Sequence, residues 1–359
     1  MRVCFFHAAR EWTGGARAFV DAASALRDRG HEVTLVCARD SPVERRFEEA
    51  GHDVIALRVH GGWIRVAWRL RAVLRRHFVE VVFVHTEREQ LVAAAAVRLA
   101  DRGALVRRVP PLARLTMGGD ATLAMRLAAT GFLFALESDL RASRPPARAL
   151  EPVVAPPGVA PAEQRSPGAR APGVRSIVCV FDEARRARVA TALRAVALLS
   201  ERHRDLRLVL AGPATGDDAL RIQAAALGIG GLTEIVDDAT SRTAVQERIA
   251  SADLGWVLAA GDAAAFGALD CLAAGVPVLA DRDPISACFV EDGVNGLLAA
   301  GLDAAALAAL LASLLADHEC HARLSRAARA AAARWPLAAM ADGFERATAA
   351  ARDRTRWRV

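Results

Sequence analysis

Two aspartates stand close together in the second half of the chain. Asp262 and Asp270 are separated by seven residues of "GDAAAFGALDCLAAGVPVLAD" (261–281), in an alanine-rich segment that predicts a helix over 263–274. The Val-Pro-Val run behind it predicts a buried strand. Ionised carboxylates accept strong, charge-assisted hydrogen bonds. A pair of acids retained just before a buried strand is therefore a candidate for holding a polar ligand.

Two further groups of residues that could bind a ligand or take part in catalysis follow predicted strands in the first half of the chain. Gly14 and Gly15 follow Thr13 at the start of a predicted helix. Glycine there lets a ligand approach the backbone, and the exposed N–H groups and the helix dipole favour an anion. Taken alone, such a pair is more often a simple turn. Because it is not part of a Gly-x-Gly-x-x-Gly pattern, it gives no support to a nicotinamide cofactor.

His85 ends the apolar run "VEVVFVH", a predicted strand. A histidine at the carboxyl end of a parallel strand can act as an acid, a base or a hydrogen-bond donor. It can also cap the next helix or pack against it, and the residue type alone does not decide between these roles.

The elements that must position these residues alternate regularly. "RVCFFHA", a helix over 16–29 and "HEVTLVCA" predict a β-strand, helix and parallel β-strand. The alternation restarts at "RSIVCVF" and continues to "VPVLAD". We therefore predict an α/β fold with two doubly wound Rossmann-like lobes and a C-terminal helical tail. Such sheets bind ligands at the carboxyl ends of their strands, which is where the candidate residues lie.

A proline-rich segment predicts the boundary between the lobes. Residues 143–174 contain eight prolines and little periodicity, which is typical of a connector. We expect an N-terminal lobe at 1–160, a second lobe at 161–335 and a closing helix at 336–359 that packs back towards the first lobe.

The amino-acid composition excludes some catalytic groups. All 47 basic residues are arginine, and the chain has neither lysine nor tyrosine, so a Schiff-base lysine and a catalytic tyrosine are excluded. The net charge of +6 permits contact with phosphates, nucleic acid or an anionic membrane without selecting among them. Six scattered cysteines predict reduced, buried thiols, and the longest apolar stretch, 127–136, is too short to span a membrane. We expect a cytoplasmic protein.

A possible metal site lies in "DHECH", where His318 and His321 are three residues apart on either side of Cys320. No further ligand nearby completes a set, so a solvated helix junction is the preferred interpretation and no metal is expected.

The segment 63–78 predicts a cationic, amphipathic helix. Apolar residues recur at helical spacing from Trp63 to Phe78, and arginines fill the positions between them. Either this helix packs on the sheet with an arginine-rich solvent face, or the arginine face rests on anionic lipid.

The arrangement resembles glycosyltransferase family 4, the retaining enzymes of the two-lobed GT-B fold. The likeness is carried by "WTGGARAFVDAASALRDRGHEVTLV", "VVFVHTERE", "VVAPPGV", "CLAAGVPVLADRDPISACFVEDGVNGLL" and "RWPLAAMADGFERAT". It spans nearly the whole chain and is most specific over 262–298. It implies that the first lobe takes the acceptor and the second lobe takes a nucleotide-sugar donor.

The resemblance also implies roles for the candidate residues. In the family, two glutamates at this spacing precede the Ala-x-Gly-x-Pro-Val run, and their positions here are occupied by Asp262 and Asp270. The second acid would hold the ribose hydroxyls of the donor, and the first would lie near hydroxyls of the transferred sugar. Gly14 and Gly15 would approach the donor phosphates. His85 would contact the sugar or stabilise charge.

One loop departs from the family pattern. The arginine and lysine that neutralise the donor diphosphate in the family correspond to Asp182 and Ala187 here. Arg185, Arg186 and Arg188 lie on the same loop and are candidates to replace them, or they form the solvated first turn of a helix. The two interpretations are open.

The resemblance implies transfer of a hexose or related sugar from a nucleotide-diphosphate donor to a hydroxyl acceptor of a lipid or cell-envelope glycan, with retention. No cofactor beyond this donor and no nucleic-acid partner are expected, and peripheral membrane contact would run through the 63–78 helix. Two alternatives stay open. One is a degenerate homologue that binds a nucleotide or a partner without turnover, and the other is a GT-B sugar-nucleotide epimerase.

Overall fold

The computed structural model describes residues 1–161, 175–213, 217–237, 241–301 and 303–356. Residues 162–174 of the predicted connector lie outside that part of the chain. Two compact units are present, one formed by Met1–Gly158 together with the chain from Leu337 onward, and the other by Val159–Pro336. Each contains a parallel sheet flanked by helices, and the predicted fold class is confirmed.

The first unit contains a seven-stranded parallel sheet in the order β3-β2-β1-β4-β5-β6-β7. Its strands are β1 (Arg2–His7), β2 (Glu32–Ala38), β3 (Val54–Leu57), β4 (Val81–Val84), β5 (Ala104–Val109), β6 (Thr130–Phe134) and β7 (Val153–Val154). Its first six helices are α1 (Gly14–Asp28), α2 (Pro42–Glu49), α3 (Trp63–Arg76), α4 (Glu87–Ala100), α5 (Gly119–Leu127) and α6 (Glu137–Ala142). Because β1 lies between β2 and β4, the strand order changes direction there, and the carboxyl ends of β1 and β4 form one edge.

The second unit contains a six-stranded parallel sheet in the order β10-β9-β8-β11-β12-β13. Its strands are β8 (Arg175–Phe181), β9 (Leu206–Gly212), β10 (Thr233–Asp237), β11 (Leu254–Leu258), β12 (Val278–Asp281) and β13 (Gly296–Ala299). Its helices are α7 (Arg186–Ser200), α8 (Asp217–Ala226), α9 (Arg242–Ser251), α10 (Gly261–Ala273), α11 (Ser286–Phe289), α12 (Ala304–Ala316) and α13 (His318–Ala332).

The last helix, α14 (Leu337–Arg356), belongs to the first unit and packs on α1, β5 and β6. Its Phe344 is fully buried, with ring centroids 5.8 Å from Phe5 of β1 and 5.1 Å from Phe83 of β4. The aromatic core of the first sheet therefore includes a side chain from the C-terminal part of the chain.

Local sequence accounts for the helix that carries the two glycines. Thr13 caps α1, and its hydroxyl accepts from the N–H of Ala16 at 3.2 Å. The helix ends where Gly30 takes a positive φ of 82°, which glycine tolerates without strain.

Helix α3 has the predicted buried stripe, from Val66 and Ala67 to Leu74, with one correction. Phe78 was placed with that stripe, but it follows the end of the helix in the left-handed region (φ 51°) and is 52% exposed. Its ring is stacked beneath the guanidinium groups of Arg2 and Arg102 instead. Among the described residues, no helix is both long enough and apolar enough to cross a membrane.

Candidate functional site

The first lobe brings Gly15 and His85 into direct contact at the edge formed by β1 and β4. A Cβ atom on Gly15 would lie 2.5 Å from Nε2 of His85, closer than any real side-chain contact. The half-buried imidazole therefore lies against the backbone of the first turn of α1. The ring of Phe19 meets it edge-on, with centroids 6.0 Å apart. Gly14 lies at the first position of the same helix.

Sequence reasoning missed a buried acid behind His85. Glu89 is 2% exposed and belongs to a capping box in which the hydroxyl of Thr86 accepts from the N–H of Glu89. Its carboxylate accepts from the N–H groups of Ala8, His85 and Thr86. The Thr-x-x-Glu spacing predicts the cap, but nothing in it predicts the bond to Ala8.

The same edge contains a second histidine, His7 at the end of β1. It is 1% exposed, and its Nδ1 is 3.6 Å from Oε1 of Glu89. Burial lowers the pKa of His7, and the nearby carboxylate of Glu89 opposes that shift. Burial alone would raise the pKa of Glu89, but the His7 ring and the N–H donors of Ala8 and Thr86 reverse the shift, and the pKa is lowered.

In the second lobe, Asp262 and Asp270 both lie on α10, as predicted for a helix in this segment. Asp262 is buried in the first turn, and Asp270 is half-buried near the other end. Eight residues of helix separate them by about 12 Å along the axis and about 80° around it. The carboxylates therefore point to different places, as two parts of one extended ligand would require.

Asp182, the acid at the altered loop position, is part of the framework of the second lobe. Its Oδ1 accepts from the N–H of Arg185 at 3.0 Å and its Oδ2 from the N–H of Ala260 at 2.9 Å. Ala260 precedes α10, so this carboxylate links the end of β8 to the start of the helix that carries Asp262. Burial raises the pKa of Asp182, although the two N–H donors oppose the rise.

The three candidate arginines are engaged in two different ways. Arg185 and Arg188 converge on Asp281 at the end of β12, at 3.3 and 2.6 Å, and Arg185 also reaches Asp283 at 3.3 Å. Arg186 pairs instead with Glu183 at 2.7 Å and donates to the carbonyl of Pro213. The structure therefore groups Arg185 with Arg188 and separates Arg186. No motif or spacing predicts that Asp281 and Asp283 hold this pair.

The metal interpretation of "DHECH" finds no support. Within the described ranges, no three His, Cys, Asp or Glu side chains are placed to hold a metal ion. His321 lies on α13, and its Nε2 is 2.7 Å from the backbone oxygen of Asp253, which links this helix to the start of β11. Its position is explained by packing.

Two doubly wound, parallel-sheet lobes in one chain are the architecture of GT-B proteins. Two family models match the sequence. The model described as "Glycosyl transferase 4-like domain" matches residues 13–151, and "Glycosyl transferases group 1" matches residues 163–331. The chain therefore belongs to the GT-B glycosyltransferase superfamily. No curated protein matches it by sequence.

Solved structures share the fold at low identity. Anabaena Alr3699/HepE in complex with UDP-glucose has a TM-score of 0.74 at 16% identity, with 97% of this chain and 99% of that chain covered. WaaG, a glycosyltransferase of lipopolysaccharide biosynthesis, has a TM-score of 0.67 at 18% identity, covering 97% and 99%. A protein from Listeria monocytogenes described as a UDP-N-acetylglucosamine 2-epimerase has a TM-score of 0.63 at 19% identity, with 96% of this chain and 97% of that chain covered.

Proposed function

We propose that this protein is a retaining glycosyltransferase of the family 4 type, which moves a hexose or related sugar from a nucleotide-diphosphate donor to a hydroxyl acceptor. The observation that carries the proposal is the pair of glycosyltransferase models that match the two lobes in order. The second match includes α10 with both aspartates. The HepE structure, which holds UDP-glucose, supports a nucleotide sugar as the donor.

In this proposal the two acids of α10 divide the donor between them. Asp270 accepts hydrogen bonds from the ribose hydroxyls, and Asp262 accepts them from hydroxyls of the transferred sugar. A carboxylate suits both tasks because it is a charged acceptor with two oxygens. Gly14 and Gly15 expose backbone N–H groups of α1 to the phosphates, and His85 contacts the sugar or stabilises charge. No cofactor beyond the donor is required.

The diphosphate is assigned to Arg185 and Arg188, with Arg186 as the third candidate on this loop. In the structure, Asp281 forms ion pairs with both Arg185 and Arg188, and Asp283 forms one with Arg185. A diphosphate must therefore displace these carboxylates or share the arginines with them. Its negative charges are repelled by the nearby aspartates. The acids weaken donor binding in this proposal, and their removal strengthens it.

The test compares a nucleoside with its diphosphate by calorimetry, after a thermal-shift screen of sugar nucleotides has identified the base. We expect Asp270→Ala to weaken binding of both by about 1–3 kcal/mol, because a charged hydrogen-bond partner is lost. We expect Asp281→Asn to strengthen binding of the diphosphate about tenfold and to leave the nucleoside unchanged. Arg185→Ala should abolish the advantage of the diphosphate and, with it, turnover.

If the diphosphate binds no better than the nucleoside in the natural protein, the cationic clamp is absent. The degenerate homologue then replaces the enzyme as the explanation. The epimerase alternative is favoured by the structural similarity to the Listeria protein. It predicts that a bound UDP-sugar alone is converted to its epimer, whereas the transferase releases the nucleoside diphosphate when an acceptor is added.

For the acceptor we propose a lipid or cell-envelope glycan, reached from the cytoplasmic face of the membrane. WaaG, which acts in lipopolysaccharide biosynthesis, shares the fold. Helix α3 supports a peripheral contact, because Ile64 and Trp68 are 56% and 52% exposed on one side of it, and Arg71 lies over the Trp68 ring. Exposed apolar side chains among arginines are typical of interfacial helices.

A further inference from the structure

One carboxylate joins the two strand ends that frame His85. Oε1 of Glu89 accepts from the N–H of Ala8 at 2.6 Å, beyond the end of β1. Oε2 accepts from the N–H groups of His85 at 3.0 Å and Thr86 at 2.9 Å, beyond the end of β4. A single side chain of α4 therefore fixes the backbone on both sides of this edge.

Helix capping explains only part of this arrangement. A capping box needs the side chain at this position to accept from the N–H of Thr86, and glutamine does so as well as glutamate. The bonds from Ala8, 81 positions away, and from His85 add nothing to the first turn of α4. A buried ionised carboxylate is also costly unless it is fully partnered. The charge at Glu89 therefore has a reason other than capping.

The groups around the His85 ring indicate that reason. Helix α1 contributes the uncharged Gly15 and Phe19, and β1 contributes His7, whose ring centroid is 6.4 Å from that of His85. Neither ring nitrogen of His7 has a hydrogen-bond partner in the part of the chain that the structure describes. Of the groups around the ring, Glu89 is the anion, and its pKa is lowered.

We infer that Glu89 is the positioning residue of His85, and the inference rests on the proposed function. It fixes the strand end that carries the imidazole, and its negative charge holds a proton on the ring. His85 thereby presents a cation to the anionic donor of the proposed function.

The first experiment measures the titration of His85 by NMR in the protein without substrate, in Glu89→Gln and in Thr86→Ala. Thr86→Ala removes the capping hydroxyl, whereas Glu89→Gln keeps the cap and loses acceptor capacity for the N–H groups of Ala8 and His85, so we expect both to melt at a lower temperature than the natural protein. Only Glu89→Gln removes the charge, so only there should the titration midpoint of His85 fall, by about one pH unit. An unchanged midpoint in Glu89→Gln would make Glu89 a helix cap and nothing more.

The second experiment measures turnover in the same variants. Glu89→Gln should lower kcat about 10²-fold with KM changed by less than about twofold, because a misplaced ring slows the chemical step. Thr86→Ala should keep kcat. Parallel losses in the two variants would contradict the inference. A protein that transfers no sugar at all would contradict the proposed function, while the titration still decides the role of Glu89.

If Glu89→Gln does not fold, the reciprocal measurement replaces it. Linkage requires that His85 affects Glu89 as Glu89 affects His85. In His85→Gln the carboxyl of Glu89 should therefore titrate at a higher pH than in the natural protein. A midpoint that does not move would overturn the inference.

Discussion

Gly15 shows how one missing side chain sets the position of a functional group. The imidazole of His85 occupies the space where a Cβ atom would lie, 2.5 Å from Nε2. Replacing this residue therefore moves the ring or the first turn of α1, since neither can be compressed by that amount. The two residues were singled out from the sequence separately, and the structure brings them together.

We expect Gly15→Ala to lower turnover roughly 10²-fold, towards the loss of about 10²–10⁴ expected for His85→Ala if the histidine does acid–base work. The matched control is Gly119→Ala, at the first position of α5, where a Cβ atom would meet nothing within 4 Å. Steady-state kinetics of the three variants check this. Full activity in Gly15→Ala would show that the position of the ring against α1 does not matter for transfer.

At the scale of elements, the exposed face of α3 combines apolar side chains with arginines. The guanidinium of Arg71 lies over the Trp68 ring and donates to the carbonyl of Leu99 near the end of α4. Leu99 is itself 41% exposed. With Ile64, these residues form a mixed apolar and cationic surface. Such a surface gains energy on an anionic bilayer from both burial and charge.

We expect the protein to sediment with anionic vesicles at low salt and to dissociate as salt screens the contact. Changing Arg65, Arg69 and Arg75 to glutamine should abolish binding and leave the melting temperature nearly unchanged. Equal binding to neutral and anionic vesicles, or no binding at all, would return α3 to a role in packing alone.

A matched control for that triple variant changes the same number of exposed arginines in the second lobe, namely Arg194, Arg202 and Arg204. It alters the net charge of the protein equally. Retained vesicle binding in the control would assign the contact to α3 rather than to overall charge.

The periodicity of apolar residues predicts the strands and helices with an uninterrupted apolar face, but it does not predict a strand with buried charged side chains. The helices predicted over 16–29 and 263–274 correspond to α1 and α10, with bounds that agree within about two residues. Strand β5 was not identified, because its sequence "ALVRRV" contains two arginines. Both are buried, at 8% and 1% exposure for Arg107 and Arg108. Arg107 donates hydrogen bonds to Oε1 of Gln90 and to the carbonyl of Thr116. The spacing of residues in the sequence does not predict these contacts.

Candidate site residues could be named from the sequence where a single position carries the signal. His85, Asp262 and the glycines could be named because each stands at the start of a helix or the end of a strand. Asp281, Asp283 and Glu89 could not, because their significance comes from partners more than 70 residues away in the chain. Long-range pairing of charges is a property of the folded chain rather than of local sequence.

At the scale of the whole chain, α14 is held to the first lobe by charges at its edge. Arg29 reaches both Asp342 and Glu345, at 2.7 and 2.8 Å, and Nε2 of His31 lies 3.0 Å from Glu345. The hydrogen bond with His31, followed by Arg29, lowers the pKa of Glu345 below its usual 4.5, although partial burial opposes the shift. A lowered pKa stabilises the folded state above pH 4.5, and this contribution disappears as the pH falls through the folded-state value.

Glu345→Gln should therefore lower the melting temperature by about 1–3 °C at pH 7, since a mostly exposed ion pair contributes less than about 1 kcal/mol. The difference between variant and natural protein should shrink as the pH falls from 7 through the folded-state pKa of Glu345. Calorimetric scans between these values check it, with Glu151→Gln, an exposed glutamate of the same unit, as the control. A difference that persists at low pH would assign the effect to packing.

The packing of Phe344 against Phe5 of β1 and Phe83 of β4 has a consequence for the order of events at the ribosome. The second lobe is one continuous segment, Val159–Pro336, whereas the first is completed by residues that are synthesised after it. At bacterial or eukaryotic elongation rates, roughly 10–40 seconds separate the emergence of Gly158 from that of α14. During that interval the rings of Phe5 and Phe83 lack their third partner, so the nascent first lobe is the part of the chain that we expect chaperones to bind.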